Sequence, residues 1–131
     1  MKYAAFILLI AVTSCSKSTI TNKAKSSGSI VGKWIQTAYL ADPGDGSGTW
    51  QTDNSGSGYL IFNEDSTAQS SSVPYYGELK RFHILSDSTL TLQYADGTTF
   101  THMYKVEGNI LTLMGGCIEA CGTRYKRAPT M

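Results

Sequence analysis

The sequence predicts an all-β protein, most simply an eight-stranded antiparallel barrel of the up-and-down type. From Ile30 onward, apolar and polar residues alternate in short runs, and Gly, Asp, Asn and Ser separate these runs. No window has the length and the apolar spacing that a helix needs. With 131 residues, the chain supplies one domain at most. Because alternation alone does not show whether a sheet closes, a two-sheet β-sandwich is the alternative.

Eight runs are predicted as strands, and most of them are joined by tight turns. They span residues 31–40, 58–63, 67–71, 79–85, 89–94, 98–106, 109–114 and 123–127. Sequential antiparallel strands build a meander, and eight strands can close it into a barrel without exposed edges. The stretch 41–57 is predicted as an irregular first loop. Its Trp50 either covers the open end as a lid or packs against the barrel wall, and the wall is favoured.

Alternation also predicts which side chains face the barrel interior. The face that carries Phe100, His102 and Tyr104 is predicted to point inward, whereas His83 has the opposite parity to its neighbours and faces solvent. We favour a core role for His102 over a ligand contact. A barrel of eight strands is either filled by side chains or leaves space for one small ligand. Should space remain, the candidate ligand-binding residues are Tyr94, Phe100, His102, Tyr104 and Tyr125.

The composition excludes several classes of protein. The formal net charge is +1 and charged residues make up 16% of the chain, so the basic field that non-specific nucleic-acid binding requires is missing. Aromatic residues make up 11%, which is atypical of disordered segments and of coiled coils. We therefore expect no nucleic-acid partner, and any ligand has to be recognised by a defined site.

The N-terminal residues have the pattern of a targeting segment. Lys2 gives a positive start, and the apolar run over 3–12 is too short to cross a hydrocarbon core of about 30 Å as a helix. The run ends in the letters VTSC, which resemble the lipobox of bacterial lipoproteins, with Cys15 as its cysteine. The resemblance implies cleavage before Cys15, a diacylglycerol thioether on its sulfur and acylation of the new amine.

This resemblance divides the chain into three parts. Residues 1–14 form the lipoprotein signal peptide, 15–29 comprise the lipidated cysteine and a flexible tether rich in Ser and Lys, and 30–128 form the barrel domain. Such a protein is anchored to a membrane of the bacterial cell envelope through Cys15. The outer membrane is favoured, because Ser16 and Lys17 lack the Asp that retains some lipoproteins in the inner membrane. The sequence does not decide between the periplasmic face and the cell-surface face of that membrane.

Four segments of the domain form a recognisable combination. They are GKW at 32–34, GYLIFN at 58–63, DSTLTL at 87–92 and CIEACGTRYKR at 117–127. Together they resemble the lipocalin-like lipoproteins of Gram-negative bacteria, small anchored barrels that are mostly without known function. In lipocalins the tryptophan of G-x-W closes the narrow end of the barrel, and an arginine from the last strand stacks over it. The resemblance implies these barrel-closing roles for Gly32, Trp34 and Arg127, with Arg124 as the alternative arginine.

Two cysteines remain once Cys15 carries lipid. Cys117 and Cys121 lie between glycines in a predicted turn, and an exported protein meets oxidising conditions, so we predict a disulfide between them. Their spacing differs from that of thioredoxin-like redox motifs, and no second Cys/His pair completes a zinc site.

The sequence carries no enzyme or metal motif. Its Gly-rich loop fits neither the nucleophile elbow nor the phosphate-binding loop. Asp42, Asp45 and Asp53 fail the calcium-loop spacing, since Gly44 and Gly46 occupy ligand positions. We expect no catalytic residue, no metal and no cofactor. The expected function is non-enzymatic binding of a small hydrophobic ligand inside the barrel; the alternative is a structural module that binds a protein or glycan through its surface and loops.

Overall fold

The computed structural model describes residues 28–71, 78–115 and 121–129, and within them every regular element is a β-strand. The strands are β1 Gly32–Ala41, β2 Thr49–Thr52, β3 Tyr59–Phe62, β4 Ala68–Ser70, β5 Leu79–Ser86, β6 Thr89–Tyr94, β7 Thr99–Glu107, β8 Ile110–Met114 and β9 Gly122–Arg127. The prediction of an all-β protein is confirmed. The proposed signal peptide, Cys15, the tether up to residue 27 and Cys117 lie outside the described residues.

Eight of these strands form one antiparallel sheet that closes almost completely into a barrel. The order β4-β3-β1-β9-β8-β7-β6-β5 runs mostly between strands that are neighbours in the chain, and it pairs β1 with β9. The two ends of the sheet meet at a bridge between Thr67 and Arg81, next to which the Phe82 N–H donates to Ser66 O at 3.1 Å. The predicted up-and-down barrel is therefore confirmed, and the alternative of two packed sheets is wrong.

The prediction that 41–57 is wholly irregular is wrong at β2. The first half of β1 pairs with β3, from Gly32 opposite Phe62 to Ile35 opposite Tyr59. Beyond Ile35 the same edge of β1 pairs with β2 instead, and Leu40 lies opposite Trp50. The four-residue β2 is too short to show an alternating pattern, and only the free edge of β1 makes it a strand.

Trp50 packs against the outside of the barrel wall. It is half-buried, and the guanidinium carbon of Arg124 on β9 lies 3.8 Å from the centroid of its ring. A Cβ on Gly122 would collide with Met114 Sδ and would lie 3.2 Å from the Trp50 ring, so the missing side chain makes room for both neighbours. This stacking stabilises the position of β2 beside β1.

The barrel interior forms one hydrophobic core, and its most completely buried large side chains are Trp34, Phe62, Leu90 and Leu111. The Trp34 indole N–H donates to Ile30 O at 2.7 Å, which satisfies its polar atom without water. All described core residues lie between Ile30 and Tyr125. A chain of residues 16–131 therefore contains this whole core, and we expect it to fold as a unit.

Arg127, the last residue of β9, lies over Trp34. Its guanidinium carbon lies 4.1 Å from the centroid of the Trp34 ring, so the structure places Arg127 over Trp34 and Arg124 over Trp50. Arg127 Nη1 also donates to Val31 O at 2.7 Å, and Nη2 donates to Ser29 O. The planar guanidinium thus covers the indole and binds the segment that precedes β1.

Position 32 requires glycine for two reasons, its backbone conformation and the close approach of Arg127. Its φ is +131°, a conformation that residues with a side chain rarely adopt, and a Cβ there would lie 2.7 Å from Arg127 Nη1. The glycine of the G-x-W pattern therefore makes room for the arginine that covers the tryptophan.

Replacing Gly32 with alanine is expected to lower the free energy of unfolding by roughly 2–3 kcal/mol, because backbone strain and displacement of Arg127 add together. Gly97→Ala is the control, since Gly97 also has a positive φ, +88°, but a Cβ there would meet no described atom within 4 Å. We expect a loss of about 1 kcal/mol for this variant. Urea unfolding of residues 16–131 measures both, and equal losses would show that Arg127 does not constrain position 32.

Candidate functional site

A cavity of about 400 Å³ lies at the end of the barrel opposite Trp34. It is surrounded by the ends of β1, β4, β6 and β8 and by the first halves of β3, β5, β7 and β9. Its described lining residues are Gln36, Tyr39, Leu40, Tyr59, Leu60, Ser70, Ser71, Leu79, Leu92, Tyr94, His102, Leu113, Gly115, Cys121, Gly122, Thr123 and Tyr125. A volume of this size lies within the range of small-molecule sites in proteins.

Three of the five candidate ligand-binding residues belong to this wall, namely Tyr94, His102 and Tyr125. Phe100 and Tyr104 are not among its described lining residues. The Phe100 ring instead packs edge-on against Tyr94 at a centroid distance of 5.9 Å. The Tyr104 hydroxyl donates to the Ser86 backbone oxygen at 3.3 Å. Alternation identifies the face of a strand, but it does not identify the depth along the barrel at which a side chain lies.

Several lining residues were missed by the sequence analysis. Gln36 follows Trp34 by two positions, and this inward parity could have identified it. Tyr39 has the opposite parity and still lines the cavity, because the register between β1 and β9 shifts between Gln36 and Ala38. Ser70 ends a strand of three residues, which is too short to carry a pattern.

Gln36 is oriented by an acidic residue of the first loop. Its Nε2 donates to Asp53 Oδ2 at 3.0 Å. Hydrogen bonds from Ser55 and, to a smaller extent, from Gln36 hold the pKa of the Asp53 carboxyl below its usual range. A Cβ on Gly58 would lie 2.8 Å from Gln36 Cβ, so glycine at 58 lets the loop before β3 approach this side chain. The ionised carboxylate of Asp53 is therefore hydrogen-bonded to Gln36, a residue of the cavity wall.

His102 and Ser70 each carry a buried polar atom that lacks a hydrogen-bond partner. The two atoms are His102 Nε2 and Ser70 Oγ. In the described part of the chain, no other buried side-chain nitrogen or oxygen lacks a hydrogen-bond partner. Burial lowers the pKa of His102, and a hydrogen bond with the Gly115 backbone opposes that shift only in part. The imidazole is consequently neutral at neutral pH.

The remaining polar groups of the wall are mainly tyrosine hydroxyls. Burial raises the pKa of Tyr125 to about 12, while a hydrogen bond with the Thr123 side chain acts in the opposite direction. The Tyr125 phenol is therefore neutral at physiological pH. None of the described lining residues is Asp, Glu, Lys or Arg. The wall combines leucine side chains with neutral hydrogen-bonding groups, which suits an uncharged ligand.

Cys121 lies at the rim of the cavity, directly before β9. Because Cys117 lies outside the described residues, the disulfide between these two cysteines stays a prediction.

The stability of the barrel is expected to fall as the pH drops below about 6.5, the pKa of histidine in an unfolded chain. Burial lowers the pKa of His102, so the folded state binds fewer protons than the unfolded state, and acid favours unfolding. Urea unfolding of residues 16–131 between about pH 5 and pH 7.5 measures this slope. His102→Gln should flatten it, whereas His83→Gln, at an exposed position on β5, should retain it. A slope unchanged in His102→Gln would contradict the expectation.

No model of a known protein family matches the chain, and no curated protein matches it either. Within residues 28–71, 78–115 and 121–129, no helix is long and apolar enough to span a membrane. The same part of the chain holds no group of three or more His, Cys, Asp or Glu residues that could bind a metal ion.

Proposed function

We propose that this protein is a lipid-anchored lipoprotein of the bacterial cell envelope whose lipocalin-like barrel binds a small hydrophobic ligand without catalysing a reaction. The observation that carries the binding proposal is the cavity of about 400 Å³ opposite the closed end of the barrel. Leucines at 40, 60, 79, 92 and 113 are among its lining residues, and burying the apolar surface of a ligand is favourable by roughly 25 cal/mol per Å².

The closed end supports the same proposal. Trp34 is fully buried beneath Arg127, so the barrel interior is filled at that end. At the opposite end, Tyr39 lines the cavity, is 46% exposed and offers an amphipathic side chain to a ligand. A concave site lined by both leucine side chains and neutral polar groups is typical of small-molecule binding.

Binding is tested with N-phenyl-1-naphthylamine, a neutral aromatic probe whose fluorescence increases in an apolar environment. We expect residues 16–131 to bind it and Leu113→Trp, which fills the cavity, to bind it at least about tenfold more weakly. Thr101→Trp on the exposed face of β7 is the matched control and should bind like the parent chain.

Native mass spectrometry of the same chain provides an independent readout. A co-purified mass that leaves on denaturation would identify a cargo, and a deficit of two hydrogens would support the Cys117–Cys121 disulfide. Failure of the parent chain to bind the probe, together with an unliganded mass, would contradict the proposal. It would favour a module that acts through its surface and loops.

The lipid anchor is proposed from the N-terminal pattern, with Cys15 as the acylated residue. Two or three acyl chains, at about 0.8 kcal/mol for each buried methylene, would hold the barrel firmly at a membrane. The tether that follows would link the barrel to the membrane surface and leave its cavity accessible.

Metabolic labelling with an alkyne fatty acid in a Gram-negative host tests the anchor. Cys15→Ala is expected to abolish the label and to leave the precursor uncleaved, because the thiol is the acceptor of the diacylglycerol group. The double variant Cys117→Ala, Cys121→Ala keeps Cys15 and should be labelled like the parent chain. A labelled Cys15→Ala protein would exclude acylation at Cys15 as the anchor.

A further inference from the structure

Two consecutive apolar residues near the end of β5 are exposed. Ile84 is 45% exposed and Leu85 is 55% exposed. In a regular strand consecutive side chains point to opposite faces, so one of the two would be directed inward. The pairing of β5 with β6 instead shifts between Ile84 and Ser86, and the last four residues of β5 are all exposed. The strand therefore presents both side chains to the surroundings at one end of the barrel.

This end of the barrel is the one that holds Trp34, and the N-terminal segment enters there. Arg127, which covers Trp34, also binds the carbonyl oxygen of Ser29. Ser29, Gly28 and Ile84 line one groove of about 590 Å³. The exposed end of β5 and the point at which the chain enters the barrel are therefore neighbours.

Ile110 lies on another side of the entry point. A Cβ on Gly28 would lie 3.6 Å from Gly108 O, in the turn between β7 and β8, and Ile110 begins β8. The Ile110 side chain is 38% exposed. Ile84, Leu85 and Ile110 are three of the five large apolar side chains that are exposed in the described part of the chain. An exposed apolar cluster of this kind marks a contact with a protein or a membrane.

The proposed lipid anchor supplies the membrane. Residues 16–27 separate Cys15 from Gly28, and a chain of that length reaches at most about 45 Å when it is fully extended. An acylated Cys15 would therefore hold the Trp34 end of the barrel within that distance of the lipid. The apolar cluster lies at the end of the barrel to which the anchor is connected.

Charge distinguishes the two ends of the barrel. Residues 16–27 contain three lysines and no acidic residue, so an anionic bilayer surface attracts the segment that leads into the Trp34 end. The cavity end instead carries the loop with Asp42 and Asp45, and hydrogen bonds with Ser47 hold the pKa of the Asp45 carboxyl below its usual range. Asp45 is therefore ionised at neutral pH, and an anionic surface repels it.

The Trp34 end itself carries charges of both signs. Its described acidic residues are Glu64, Asp65, Asp87 and Glu107, and its described basic residues include Lys33, Lys105, Lys126 and Arg127. Glu107 forms an ion pair with Lys105 at 2.7 Å. The described residues therefore leave this end without an excess of negative charge that would oppose contact with a bilayer.

We propose that the Trp34 end of the barrel docks on the membrane surface, with Ile84, Leu85 and Ile110 at the boundary between headgroups and acyl chains, and that the cavity end points away from the lipid. This inference rests on the proposed lipid anchor at Cys15. It makes the three apolar side chains a membrane-docking surface and leaves the cavity accessible from the aqueous phase.

Quenching of tryptophan fluorescence by brominated lipid tests which end contacts the bilayer. Residues 16–131 with an N-terminal hexahistidine tag are attached to vesicles of phosphatidylcholine and phosphatidylglycerol that contain a nickel-chelating lipid. The attachment then does not depend on acylation of Cys15. The phosphatidylcholine carries bromine on its acyl chains, and the signal of the parent chain, from Trp34 and Trp50, is subtracted from that of each variant.

We expect Leu85→Trp to be quenched at least about threefold more than Tyr39→Trp, because only the former tryptophan reaches the acyl chains. The two positions are matched in exposure, and Tyr39 lies at the cavity end. Equal quenching of the two variants, or stronger quenching of Tyr39→Trp, would overturn the inference and leave the lipid anchor intact. Absence of acylation in the fatty-acid labelling experiment would instead count against the proposed anchor.

A charge beside the new tryptophan provides the second arm. Adding Ile84→Asp to Leu85→Trp is expected to lower the quenching to the level of Tyr39→Trp, because a carboxylate resists transfer from water to the acyl boundary. Adding Thr101→Asp, at an exposed position of β7, is the matched control and should leave the quenching unchanged. Quenching that persists with Ile84→Asp would overturn the assignment of this surface.

A second copy of the chain is the competing occupant of the same surface. Sedimentation velocity of untagged residues 16–131 is expected to show a monomer. A dimer that Leu85→Asp dissociates and Thr101→Asp retains would overturn the inference, because the apolar cluster would then be an interface between two barrels.

Discussion

The contact between Arg127 and Trp34 joins the end of the last strand to the start of the first strand and covers a completely buried tryptophan. The guanidinium covers the indole at 4.1 Å and binds the carbonyl oxygens of Val31 and Ser29. A lysine could not do both, because its ammonium is a compact charge without a planar face. Gly32 provides the space for this arrangement. Trp34 itself is completely buried at this end of the barrel.

The cavity wall combines two kinds of surface, leucine side chains and neutral hydrogen-bonding groups. Its leucines favour any apolar molecule of suitable size, and this contribution discriminates weakly between related shapes. His102 Nε2 and Ser70 Oγ are buried without a hydrogen-bond partner, and each such atom costs about 1–3 kcal/mol. The barrel supplies a rigid frame for both, since backbone hydrogen bonds hold the two strands in place. The described part of the wall has no charged lining residue, so it offers no ion-pair partner to a charged molecule.

Much of the architecture is present in local patterns. Alternation with a period of two, interrupted by turn residues, predicts eight strands in nearly their observed positions, because both signals act between residues close in sequence. The same parity places His102 and Tyr125 in the interior and His83 on the surface. The lipobox pattern around Cys15 is likewise local, and it predicts the lipid anchor without reference to the fold.

Other features depend on pairing between residues that are distant in the chain. Thr49–Thr52 forms a strand because it pairs with the long edge of β1. Tyr39 lines the cavity because the register between β1 and β9 shifts between Gln36 and Ala38. Parity alone could not separate Arg124 from Arg127, nor place Ser70 beside a cavity. These outcomes are set by backbone hydrogen bonds across the sheet, whose register no short window of sequence contains. Local sequence thus specifies the strands and the inward-facing residues, whereas closure of the sheet selects which of those residues meet at one site.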